Sequence, residues 1–159
     1  MDSELQVFLF KVMVKRYRFW LWTAVVFLLL NALIHSLTLF IQPAPQDETQ
    51  RQLFDLMANY KQDFGAGFKR STKELVTALS ASFSLLCLLG GLTLAFLLRR
   101  QADVRIMKGV VGIHVLVFGI CFALIAVFTF LPPIVLTGLI FLSLLLGYFL
   151  MPREQLVNS

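Results

Sequence analysis

Charge is what this sequence has least of. Only 14% of its 159 residues are Asp, Glu, Lys or Arg, whereas 58% are hydrophobic. The mean hydropathy is +0.82. A soluble domain is about a quarter charged and about half apolar. A small domain also buries only part of the apolar surface it carries. A water-soluble globule is therefore excluded, and lipid is the expected surrounding. Cysteine is scarce as well: Cys87 and Cys121 stand alone, each inside an apolar run. There is no CxxC and no His/Cys ligand spacing, so neither a disulfide framework nor a zinc site is expected. The formal charge of +5 does not signal nucleic acid. Its basic residues flank apolar runs instead of forming a patch of their own.

What is there in quantity is long apolar sequence. Four runs, 19–41, 75–98, 110–130 and 134–151, contain no Asp, Glu, Lys or Arg. Each meets the need for about 20 apolar residues across a hydrocarbon core of about 30 Å. An isolated span must satisfy its own backbone hydrogen bonds in lipid, which dictates helices. The expected fold is an all-α, four-helix transmembrane bundle, a single membrane domain over residues 1–159, with an outer loop at 42–74. The first run has a basic leader but is about twice as long as a signal-peptide core. It reads as a retained span.

Orientation follows from Lys and Arg. Lys11, Lys15, Arg16 and Arg18 precede the first span, and Arg99, Arg100, Arg105 and Lys108 separate the second from the third. The corner at Pro132-Pro133 has no basic residue, and the first link is neutral, with five basic and five acidic residues. The positive-inside rule places both termini on the cytoplasmic side of the cytoplasmic (inner) membrane. The stretch from Leu5 to Val14 reads either as an interfacial helix or as an inward extension of the first span.

The first link is the one sizeable piece outside the membrane. Prolines at 43 and 45 stop the first helix. From Asp47 to Phe64, Leu53, Leu56, Met57, Tyr60 and Phe64 recur at helical spacing, which predicts an amphipathic helix. Gly65-Ala66-Gly67 permits a turn. Ser71-Thr72-Lys73-Glu74 has capping-box spacing and is expected to start the second span.

Helices in lipid meet through small residues and side-chain hydrogen bonds. Thr77, Ser80, Ser84, Cys87 and Gly91 lie within about 80° on the second span. Gly112, Gly119, Ala123 and Ala126 lie within about 60° on the third. Ser143 and Gly147 form a small-xxx-small pair on the fourth. These faces are expected to point inward, as packing surfaces; an ion path normally carries charged groups, and these spans have none.

Few side chains are candidates for chemistry. His35 lies in the outer half of the first span, one turn after Asn31, with Thr38 on the same face. Polar groups within a span usually face protein or a water-filled cavity. Asp63, the glycine hinge and Lys69-Arg70 stand just above the second span. His35, Asp63 and Arg70, with Asn31, are therefore the candidate ligand-binding set. The competing readings are a histidine tied to a neighbouring helix, and basic residues that only meet lipid phosphate. His114 is no partner for His35: each is about 7 Å from the midplane on opposite sides. Two imidazoles that far apart cannot share a metal with bonds of about 2 Å, so no metal site is expected. His114 is expected to make a helix or partner contact, and both cysteines to serve packing.

The chain resembles a family of small, uncharacterised bacterial four-span membrane proteins. The resemblance rests on His35-Ser36 at the end of the first span, Met57 and Asp63-Phe64-Gly65 in the link, and Arg70-Ser71 before the second span. It covers residues 30 to 75 and departs from the pattern at Thr72-Lys73-Glu74-Leu75. It implies the four-span architecture and the importance of His35, Asp63 and Arg70, but no activity. No catalytic residue or cofactor can be named, because no nucleophile-and-base pair is evident. The leading expectation is a non-enzymatic bundle whose partners are the bilayer and a lipid, hydrophobic small molecule or membrane protein. The alternatives are a membrane enzyme or redox protein with an outward site at His35, Asp63 and Arg70, and a transporter subunit.

Overall fold

The computed structural model describes residues 3–41 and 43–152, with side chains from residue 14 onward except Thr38. The C-terminal segment expected in the cytoplasm, 153–159, lies outside the described residues. In chain order the elements are α1 (Ser3–Thr38), α2 (Glu48–Asn59), β1 (Lys61–Asp63), β2 (Lys69–Ser71), α3 (Thr72–Arg99), α4 (Val104–Phe128) and α5 (Leu131–Leu150). Among the described residues four helices are long and apolar enough to cross a membrane: Val14–Leu37 of α1, then α3, α4 and α5. Even the most apolar window, in α4, is only 11% buried. Leu, Ile, Val and Phe side chains cover its remaining surface, and only lipid accepts them there. The chain is a multi-pass α-helical membrane protein.

The N-terminal stretch is not a separate helix. α1 runs unbroken for 36 residues, about 54 Å at 1.5 Å per residue, well beyond a hydrocarbon core. Two compact units emerge: Met1–Asn31 with Cys87–Ser159, and Ala32–Leu86.

In the first, the bundle unit, four helices pack around Leu21, Leu28, Leu94, Leu98, Val111, Ile140 and Leu144, all almost fully buried. Glycines set the approaches. A Cβ on Gly91 would come within 3.3 Å of Leu28 and 3.0 Å of Leu29, so α1 and α3 touch closely there. A Cβ on Gly147 would fall 2.5 Å from Leu21 Cδ2. α4 and α5 form the expected antiparallel hairpin, with Phe122 and Phe141 stacked at 6.0 Å. Gly119 and Gly138 admit these two rings.

The expected faces hold for α3 near Ser84, Cys87 and Gly91, and for Ser143 and Gly147 on α5, all buried. Thr77 at the other end of the α3 stripe is exposed. On α4 the expectation is corrected. Gly112 and Gly119 meet α5, but Ala123 and Ala126 are exposed. The buried stripe is Met107, Val111 and Phe118, the side that carries His114. Its ring bonds Val110 O at 2.8 Å through Nδ1 and packs against Gly90 of α3. Small residues allow close approach but do not compel it; the larger side chains fill the gap between α3 and α4.

The link between α3 and α4 is shorter than expected, since Arg105 and Lys108 belong to α4. Ala102 N–H donates to Leu97 O at 3.0 Å and Gln101 N–H to Leu98 O at 3.3 Å, the paired bonds of a Schellman ending. Gln101 takes the left-handed position, φ 50°. Asp103 then caps α4, accepting from Arg105 N–H at 2.8 Å.

Candidate functional site

The second unit holds the end of α1, α2, the two strands and the first half of α3. Its amphipathic helix is shorter than the spacing predicts. α2 ends at Asn59, and a β-hairpin occupies 61–71, where the last helical turn and a loop were expected. Asp47 caps α2, accepting from Gln50 N–H at 2.7 Å. The expected capping box is present at α3. Ser71 N–H donates to Glu74 Oε2 at 2.7 Å, and Glu74 N–H donates to Ser71 Oγ at 3.2 Å.

Lys61, Gln62 and Asp63 pair with Ser71, Arg70 and Lys69 in antiparallel register. Phe64 N–H donates to Phe68 O at 2.9 Å and closes the turn. Gly65, Ala66 and Gly67 all take positive φ, which explains the two glycines. Helical periodicity and this hairpin compete for Tyr60 to Phe64. The hairpin prevails because the glycine turn returns the chain directly onto it.

Register sorts the candidate residues. Side chains alternate across a strand pair, so Lys61, Asp63, Lys69 and Ser71 share one face. Gln62, Phe64, Phe68 and Arg70 share the other. Asp63 and Arg70 therefore do not converge. Asp63 Oδ1 accepts from Gly65 N–H at 2.8 Å, and Oδ2 lies 3.9 Å from Lys69 Nζ. Arg70 donates to its neighbour's carbonyl, Lys69 O, at 3.3 Å, and is exposed. Phe64 and Phe68, on its face, are 56% and 59% exposed. Neither phenylalanine was singled out for binding from the sequence. Only strand pairing puts them on the same face as Arg70.

His35 is half-buried, with Phe83 of α3 edge-on at 4.9 Å between ring centroids. Asn31 belongs to the bundle unit. It is 1% exposed, and its Nδ2 donates to Cys87 Sγ at 3.3 Å. The sequence suggests packing for Cys87 but does not reveal this bond. Among the described residues no group of three or more His, Cys, Asp or Glu clusters as metal ligands would.

The basic residues that orient the chain also differ once packed. Arg18 Nη2 donates to Leu98 O at 2.8 Å, a carbonyl in the last turn of α3 that also accepts from Gln101 N–H. Lys15 and Arg16 instead line a groove of about 590 Å³ together with Phe19, Trp20 and Leu150. In the sequence these cations mark topology alone. No family model, curated protein or solved structure matches the chain.

Proposed function

We propose that the chain is a non-enzymatic binding protein of the cytoplasmic membrane, with both termini cytoplasmic. The hairpin unit recognises a ligand with an apolar body and an acidic head: a lipid, a hydrophobic small molecule or an acidic segment of a membrane partner. The single observation that carries this reading is the face shared by Arg70, Phe64 and Phe68. A guanidinium offers up to five donors to an acidic head, and two open aromatic rings offer contact area to an apolar body. α2 adds Leu53 and Leu56, each more than half exposed, and none of its residues is buried. An exposed apolar patch with a polar rim is what a binding surface presents.

His35 remains in the proposed set as a ligand contact beside Phe83. Asp63 takes a supporting role through Gly65 and Lys69, and Asn31 belongs to bundle packing. The buried Thr137 hydroxyl bonds back to Pro133 O at 2.7 Å in its own helix, which favours packing over transport.

The test places a photo-crosslinking phenylalanine analogue at position 68 in living cells and identifies the adducts. The expected result is one dominant adduct, several-fold weaker after Arg70→Gln. Diffuse labelling, unaffected by Arg70→Gln, rejects the reading.

A further inference from the structure

A groove in the bundle unit is lined by Lys15, Arg16, Phe19, Trp20 and Leu150. α1 turns 100° per residue, and Tyr17, Leu21, Ala24 and Leu28 mark its buried face. Arg18 sits at the edge of that face and caps α3. Lys15, Arg16, Phe19 and Trp20 span about 140° on the opposite side. Lys15 and Phe19 lie one turn apart along the helix, as do Arg16 and Trp20. Phe19 and Trp20 meet edge to face at 5.5 Å. Leu150, the last residue of α5, supplies the remaining apolar wall.

Both cations are exposed, and no carboxylate among the described residues forms an ion pair with either. Other basic residues of this unit have aromatic neighbours: Arg100 lies over Phe96 and Lys108 over Tyr148, each at 5.7 Å from the ring centre. The groove therefore combines two positive charges, neither paired by a described carboxylate, with an apolar floor. With the termini cytoplasmic, the reading proposed above on which this inference rests, it lies where a hydrophobic span gives way to the leaflet with the negative surface.

We propose that this groove holds one anionic glycerophospholipid, with its phosphate at Lys15 and Arg16 and an acyl chain along Phe19 and Leu150. A zwitterionic lipid fits the same walls, but its own cation opposes the two present. A free phosphate leaves the apolar floor open. The site is independent of the hairpin face and stands or falls separately.

Trp20 is the built-in reporter. The full chain carrying Trp22→Phe is reconstituted into vesicles containing acyl-brominated phosphatidylglycerol or acyl-brominated phosphatidylcholine, and quenching of Trp20 is read. The expected preference for phosphatidylglycerol is about fivefold per cation at low salt. It falls toward unity in Lys15→Gln/Arg16→Gln and persists in Arg99→Gln/Arg100→Gln, which removes the same charge elsewhere. Equal quenching by the two lipids in the parent protein overturns the proposal without any charge variant. So does equal loss in both double variants, which reduces the effect to surface potential. Relief of quenching by excess inorganic phosphate also overturns it, making the site one for the free anion.

Discussion

The bundle unit and the hairpin unit use the same kinds of residue for opposite ends. In the bundle, glycine removes a side chain so that another can enter. Gly147 makes room for Leu21, and Gly119 for the Phe141 ring. In the hairpin, Gly65 and Gly67 have nothing within 4 Å of where a Cβ would stand; they serve backbone conformation alone, both at φ 83°. Aromatic residues do not divide in this way: Phe118 is buried, but Phe128, Phe130 and Phe149 of the bundle stand as open as Phe64 and Phe68. Helices in lipid gain stability from close van der Waals contact, so the bundle removes volume. The hairpin has few interior contacts to protect and is free to display its rings.

The largest test of that contrast is a pair of identical substitutions. Gly147→Ala should lower stability by about 2 kcal/mol, through overpacking against a Leu21 that is fully enclosed. Gly109→Ala, on an exposed stretch of α4 with open space at Cβ, should be neutral or raise stability by up to about 1 kcal/mol. Denaturation in mixed detergent reads both. Equal effects would show that close packing does not distinguish these sites.

Ser71→Ala should cost about 1 kcal/mol, but locally. Hydrogen exchange at the first turn of α3 should speed up while bundle denaturation holds. A cooperative loss of the whole fold would join the two units energetically and break the comparison.

The bond between Asn31 and Cys87 is the polar link to test within the bundle. A double-mutant cycle with Asn31→Ala and Cys87→Ala should return a coupling of about 0.6 kcal/mol, the usual size for such bonds in a membrane. A coupling of zero would leave Asn31 with no share in packing and return it to the ligand-binding set.

The smallest effect is a gain. Gln101 occupies a left-handed position that disfavours L-residues by about 1 kcal/mol. A glycine at this position would remove that penalty while adding about 0.5 kcal/mol of unfolded-state freedom. Gln101→Gly should therefore raise stability by about 0.5 kcal/mol, visible as a higher midpoint in the same denaturation.

Some of this was legible from residue order alone, because it depends on neighbours in the chain. Span number follows from hydropathy over about 20 residues. The Ser71–Glu74 box follows from a three-residue spacing, whereas the corner expected at Pro132-Pro133 falls at Thr129 and Phe130, because prolines without N–H groups fit the first turn of α5. The rotation of α4 was not legible. When every face is apolar, pattern does not say which one is covered, and the choice fell to Met107, Val111 and Phe118 against α3 and α5. The hairpin was obscured because Tyr60 to Phe64 also satisfies helical spacing; pairing with 69–71, a contact between separated residues, decided it. That pairing moved Asp63 away from Arg70 and brought Phe64 and Phe68 to its side. The cations before the first span are alike as letters. Packing alone made Arg18 a cap for α3 and left Lys15 and Arg16 facing a groove, because helix rotation relative to a neighbour is set by side-chain contact and not by composition.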